Sequence, residues 1–164
     1  MDTKMEIVAQ FELHEPIDDK MLRQHLKIKG IDARRLSRFT QLALFGALEL
    51  QSYLSEDSCI YLGSSFNSPS KFFKMFNGLM MENVPSPLDF AANISNATVF
   101  QLAKTLKLQG TSLFLALEKL QLPQLFQLAQ LDIQPNQTAL IGWVLEDIND
   151  IANDESQWWV IRGK

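Results

Sequence analysis

A chain of 164 residues with 46% hydrophobic and 21% charged side chains has the make-up of one ordinary globular domain, with enough apolar material for a real core. Its formal net charge of −4 and the shortness of its one basic cluster, Arg34, Arg35 and Arg38, exclude nucleic acid as an expected partner, because phosphate binding needs a wider basic surface. The single cysteine excludes an internal disulfide and a cysteine-rich zinc site, and no run reaches the ~18 apolar residues of a membrane span.

The N-terminal stretch MDTKMEIVAQFELHEP carries charges where a signal peptide has its apolar core, so a cytoplasmic location is expected. Without an export signal, the glycosylation-like triplets at Asn93, Asn96 and Asn136 read as chance matches. Residues 5–13, MEIVAQFEL, mix alternation with β-branched side chains and predict a strand, and DDKMLRQHL after Pro16 predicts a short helix. Over 34–54, Leu36, Phe39, Ala43, Gly46, Leu50 and Tyr53 recur at helical spacing. Leu44, Phe45 and Leu48 add a second apolar side, so that helix should be buried on more than one face.

CIYLGSSF, residues 59–66, is a compact apolar run that suits an interior strand delivering a loop at its far end. A short helix with Pro69 near its start follows, NVPSPLD breaks the chain, and a second long helix is predicted over roughly 91–108. TSLFLA is a third strand, 119–131 a third helix, and TALIGWVLE and SQWWVIRGK are the last two strands, separated by the acidic EDINDIANDES. This alternation predicts an α/β layered fold in a single domain over 1–164, with a largely parallel sheet closed by an antiparallel hairpin.

Several of these segments, in this order, resemble the N-terminal half of β-ketoacyl synthases. IDARRLSRFTQLALFGALEL resembles that family's R-R-x-S-R-x-x-x-L-A-L-x-A-A-x-E helix, and CIYLGSSFNS its G-x-x-x-G-T-x-x-G strand and loop. SPLDFAANISNATVFQLAKTLKLQG is similar to S-P-x-x-F-x-x-S-x-x-N-A-x-x-x-x-I-A-x-x-L-x-L-x-G-P, and TALIGWVLED to D-x-A-L-V-G-G-V-D-E, so the likeness runs over roughly 34–162. It implies a thiolase-like half of order β-α-β-α-β-α-β-β with a mixed five-stranded sheet, in a family whose full-length members pack two such halves together.

In that family an elbow cysteine attacks the acyl thioester nine residues beyond the glycine of L-x-G-P, and here the count from Gly110 reaches Lys119. Glu118 and Lys119 resemble the Glu-Gln pair of non-acylating chain-length-factor subunits, with Lys in place of Gln. Thr111 stands for the proline, and Ala116, Leu117 and Glu118 for the Ser/Thr-Ala-Cys approach. The family draws its catalytic histidines from the second half, and His14 and His25 lie outside every matched motif, so both read as solvent-facing or locally bonded. The implied function is a non-catalytic accessory or assembly subunit of a bacterial fatty-acid-like or polyketide pathway, for example of aryl-polyene type, without metal or cofactor. Its implied partner is a second copy or a ketosynthase-like subunit, with an acyl carrier protein as a further candidate.

Two other classes stay open: an acyl-thioester transferase or hydrolase using Cys59, or Ser64 and Ser65, and a self-associating binding module without acyl ligand. Cys59 opens an interior strand and reads as an inert core thiol. Lys119 is expected to pair with Glu118 or with water. Phe72, Phe76 and Met80 could line an acyl chain, although apolar residues at this spacing also serve cores and interfaces.

Two interface expectations follow. The resemblance puts Thr111, Ser112, Leu113, Phe114 and Leu115 at a two-fold contact between edge strands. On the last helix, Leu122, Leu125, Phe126 and Ala129 share one side while Leu117, Leu120, Leu128 and Leu131 share another, with Lys119, Gln127 and Gln130 between them. One sheet can cover only one of those sides, so the other should meet a second protein or the Phe- and Met-rich segment 72–81.

Overall fold

A computed structural model describes residues 5–164. Strand β1, Met5–Glu12, leads to helix α1, Asp19–Ile28, whose Asp18 side chain accepts the Met21 N–H and so caps the first turn. Helix α2, Arg38–Glu49, starts three to four residues later than its apolar spacing suggests, because the Ser37 side chain accepts the Thr40 N–H and sets the start. It ends in a 3-10 turn at Gln51–Tyr53 instead of continuing to residue 54. Nine of its residues are buried, as expected for a helix apolar on two sides.

Strand β2, Cys59–Ser64, is buried throughout. The expected helix over 91–108 is two helices, because Ser86 caps and Pro87 opens a separate α4, Pro87–Ala92, before α5, Ala97–Leu106. Helix α3, Pro69–Glu82, precedes them. After β3, Ser112–Ala116, the expected helix over 119–131 splits as well: a 3-10 turn, Lys119–Gln121, passes into α6, Pro123–Asp132, with Pro123 at its first position. Strands β4, Thr138–Leu145, and β5, Glu155–Gly163, close the chain.

The five strands form one sheet in the order β1-β5-β4-β2-β3. β2 pairs in parallel with β3 and with β4, while β5 pairs antiparallel with both β4 and β1. Four strands therefore share one direction and β5 alone runs against them. The β4–β5 hairpin does not form the edge, since β1 docks outside it and leaves β3 as the other edge.

Each face of the sheet has its own core. On one, α2, α5 and α1 cover Ile60, Leu62, Leu140 and Val160, with Trp158 at the centre. Trp158 lies against the backbone of both neighbours: a Cβ built on Gly46 would sit 2.5 Å from its Cδ1, and one on Gly142 would overlap its ring. These two glycines are what let α2 approach β4 and β5 across a tryptophan. On the other face α6 alone covers Tyr61, Ile141 and Trp143, with Leu125 and Ala129 fully buried. Burial of one large apolar side chain contributes roughly 1.5–3 kcal/mol, so both layers count heavily in a fold of this size.

Candidate functional site

The elbow follows the end of β3, where the Leu117 N–H donates to the Ser64 carbonyl at 3.0 Å and holds the ends of β3 and β2 together. Leu117 turns inward and is buried, and Gly63 beneath it leaves room for Leu125, whose Cδ1 would lie 2.7 Å from a Cβ there. Glu118 then caps the 3-10 turn in a reciprocal box: its carboxylate accepts the Gln121 N–H, and the Gln121 side chain accepts the Glu118 N–H at 2.9 Å. Lys119 forms an ion pair with Glu155 at the start of β5, so its partner is Glu155 and not the expected Glu118 or water. The position where the family resemblance places a nucleophile thus holds an ammonium group anchored to a carboxylate and half exposed.

Cys59 and Ser64 stand at opposite ends of β2, about five strand residues or ~16 Å apart, so they cannot serve one reaction centre. Cys59 is buried at the end away from the elbow, with the Gln137 Nε2 at 3.6 Å from its sulfur. Close by, burial and then the hydrogen bond to Asp132 push the Tyr61 hydroxyl above the ordinary tyrosine range, which keeps it neutral. Ser64 is buried and donates to the Phe66 carbonyl at 3.2 Å, while Ser65 is exposed with no base beside it among its described hydrogen bonds. His14 is exposed, and His25 packs on Phe45 with ring centroids 4.5 Å apart and Nε2 3.5 Å from Glu49 Oε1. Neither histidine has a described hydrogen bond or ion pair with Glu118 or Lys119.

Two clusters at this end of the sheet were not legible as a site. Arg38, from the helix motif, bonds the Asp154 Oδ2 at 2.6 Å, the Asp19 Oδ1 at 2.6 Å and the Ile17 carbonyl at 2.6 Å. Burial disfavours its charge, but the Asp154 and Asp19 bonds outweigh that and hold the guanidinium above its ordinary pKa. Asp154, whose side chain is fully buried, also accepts the Asp147 N–H at 2.8 Å. Burial pushes the neighbouring Glu146 carboxyl above the usual range, against the pull of hydrogen bonds from Ser70. The second cluster is a relay of buried hydroxyls, Ser68 to Ser37 at 2.9 Å, Ser37 to Thr40 at 3.0 Å and Thr40 to Thr98 at 2.7 Å, which ties the starts of α3, α2 and α5 together. In the sequence Arg38 counts only as part of a short basic cluster, and the partners that give it, Ser37 and Thr40 a place come from the loop before β5, the start of α1 and the helices α3 and α5.

The segment expected to line an acyl chain or fold over α6 packs on α4 and not on α6. α3 packs on α4 through Lys71 to Asp89 at 3.2 Å, and Phe72 stacks with Phe66, Phe73 and Phe76 at centroid distances of 5.4–6.1 Å. Phe72 is half-buried, Phe76 and Met80 are exposed, and Pro69 is the only buried residue of the helix, which leaves an open apolar surface. Along 119–131 the two expected apolar sides separate, and the sheet takes the side that carries the expected interface residues. Leu125 and Ala129 are the sheet-facing residues and so are not free for an interface; Leu122 and Phe126 are half-buried beside them, while Leu120 and Leu131 are 95% and 86% exposed. Leu117 leaves its predicted side because it precedes the helix and turns into the core. At β3, the edge expected to meet a partner is free, with Thr111 and Leu113 exposed and Ser112, Phe114 and Leu115 half-buried.

Solved structures share this architecture. A ketosynthase in complex with its chain length factor from Xenorhabdus doucetiae matches with a TM-score of 0.71 at 14% identity, over 99% of this chain and 80% of that one. The ishigamide ketosynthase/chain length factor matches with a TM-score of 0.66 at 16% identity, over 86% of this chain and 47% of that one. The ketosynthase from module 1 of the bacillaene synthase of Bacillus amyloliquefaciens matches with a TM-score of 0.52 at 12% identity, over 80% of this chain and 29% of that one. At these identities the likeness is one of fold: the chain has the thiolase-like fold of ketosynthases and chain length factors. It spans less than half of the second and third matched chains. No protein-family profile and no curated protein matches the sequence. Among the described residues, no helix is long and apolar enough to cross a membrane, and no cluster of three metal-ligating side chains occurs.

Proposed function

We propose that this chain is a non-catalytic, ketosynthase-like subunit of the chain-length-factor kind, which pairs with a ketosynthase-like partner in a fatty-acid-like or polyketide pathway. The observation that carries this reading is the elbow: condensation needs a thiolate there, and the position holds Lys119 anchored by Glu155 next to a Glu118 committed to capping. The fold supports the class, and the match over 80% of a chain from a ketosynthase and chain-length-factor complex supports the subunit kind. Three surfaces support a partner. β3 is an apolar edge strand, the turn before α6 leaves Leu120 and the helix itself Leu131 in water, and α3 leaves Phe76 and Met80 exposed. A partner wall facing α3 would convert that open surface into one side of an acyl-binding channel lined by Phe72, Phe76 and Met80. An acidic acyl carrier protein would meet Lys27, Arg23 and Arg34 around Gly30, the last two in competition with Asp19 and Asp32, to which they are paired.

Native mass spectrometry of the protein purified gently from its source tests the partner directly. The expected species is a complex with a ketosynthase-like chain that itself carries the elbow cysteine. A chain recovered only alone, or only with proteins of unrelated fold, would contradict the assignment.

A further inference from the structure

Helix α3 lacks a cap of its own. Ser68 stands at its N-cap position with φ 53°, in the left-handed region, and its side chain makes no bond into the helix. The Ser68 hydroxyl is engaged elsewhere, with Ser37 at 2.9 Å and with the Asn67 Oδ1 at 3.2 Å. Pro69 brings no N–H, so Ser70 carries the first amide of the turn. That amide and the Ser70 hydroxyl are donors to the Glu146 carboxyl, which arrives from the residue after β4. A carboxyl from another element thus does for α3 what its own N-cap residue does not.

Glu146 is 4% exposed, and its Oε2 is buried with no described donor. Arg38 faces it from α2, but the guanidinium gives its N–H groups to Asp154, Asp19 and the Ile17 carbonyl. Asp154, just before β5, sets a second carboxylate near it. Asp147 turns its own carboxylate to the Asn149 and Asp150 N–H groups, and Lys71 of α3 pairs with Asp89. Neutral, the Glu146 carboxyl is buried at small cost and keeps an oxygen for Ser70. Ionised, it is a buried anion with one oxygen lacking a donor and a like charge close by.

The rest of α3 gives its start little other support. Pro69 is the one buried residue of the helix, and the ion pairs of Lys71 and Lys74 run to Asp89 of α4. The residues flanking α3, Ser68 and Asn83, both have left-handed backbone, with φ 53° and 52°. Element ends of this kind are where a helix pivots.

We propose that Glu146 is a proton-controlled latch on α3: the neutral carboxyl holds the first turn of the helix against the end of β4, and ionisation releases it to pivot about Ser68. The latch belongs to this chain alone and goes beyond its pairing with another subunit. It gives the open surface of Phe72, Phe76 and Met80 a fixed setting in acid and a looser one as pH rises. The direction follows from linkage. Burial raises the proton affinity of the closed site, so closure is favoured below the ordinary carboxylate pKa and lost as pH rises through the raised value.

Amide exchange in the full chain tests the latch, read at Ser70 and at Phe72, whose N–H donates to the Ser68 carbonyl at 3.0 Å. Protection is expressed against the unfolded rate at each pH. In the parent it should fall by up to about tenfold per pH unit above the raised value, because one proton is lost on opening. Glu146→Gln keeps an acceptor and cannot ionise, so its protection should stay constant over the same range. Glu146→Ala should lack that protection at every pH, and the amides of α2 and β4 should not follow the pattern of α3. Protection of Ser70 and Phe72 that rises with pH, or that follows pH alike in the parent and in Glu146→Gln, would overturn the latch. A loss shared equally by α2 and β4 would overturn it too, since the chain would then be unfolding as a whole.

Discussion

Glu146 shows how a single side chain near the elbow responds to its surroundings. Its carboxyl is 4% exposed, burial raises its pKa, the nearby Asp154 adds to that, and Ser70 and Arg38 pull the other way. A raised pKa means that the folded chain holds this proton more tightly than the unfolded chain does. The stability it contributes is therefore present below the ordinary carboxylate pKa and is lost as pH rises through the raised value. Asp89 and Asp147 behave in the opposite sense. Burial raises Asp89, but the Ser86 and Lys71 bonds outweigh it, and backbone N–H donors from Asn149 and Asp150 lower Asp147, so both contribute above the ordinary range. Glu146→Gln leaves those two groups alone and removes one titration. Its melting temperature should exceed that of the parent by a margin that grows between about pH 4 and pH 7. Thermal scans giving parallel pH curves for the two proteins would show that Glu146 is not strained by burial.

At the scale of elements, the sequence rendered strands better than helices, and the reason is local chemistry at the ends. Strands β2, β3 and β4 are short apolar runs bounded by Gly, Ser or Pro, and each forms within two residues of its expected limits. The helices were misjudged where a cap or proline divides an apolar pattern: Ser37 trims α2, Pro87 creates α4, and Pro123 separates α6 from the turn before it. The same limit applies to the faces of α6, because periodicity locates two apolar sides but not which one a sheet takes. The edge strand yields a sharper expectation. Leu113 is exposed and Leu115 packs into the second core, so Leu113→Lys should keep the fold and abolish pairing, while Leu115→Lys should also lower stability by roughly 1–3 kcal/mol. Chemical denaturation beside light scattering would check both. A Leu113→Lys protein that still associates like the parent would remove β3 from the interface.

At the scale of the whole molecule, the sheet order β1-β5-β4-β2-β3 and the match to ketosynthase structures give the chain its class. The elbow gives it its proposed role. The resemblance points to Glu118 and Lys119 by a count of nine residues from Gly110, which is a distance along the chain. It could not show Glu155 as the partner of Lys119, because that contact depends on β5 running antiparallel beside β4. Nor could it show Arg38 and Asp154 meeting across 116 residues of sequence. One side of the sheet is a complete layer of three helices, whereas the other has α6 alone, with Leu120 in the turn before it and Leu131 near its end in water, and the proposed partner would cover that side.

In the proposed role no acyl group is transferred through this chain. Incubation of the pure protein with acyl and malonyl thioesters on carrier protein, with carbon dioxide release and the intact mass of the chain followed together, tests this. No release above the protein-free rate and no added acyl mass are expected. Steady release of carbon dioxide that a point change abolishes, or an acyl adduct on Cys59, Ser64 or Ser65, would contradict it.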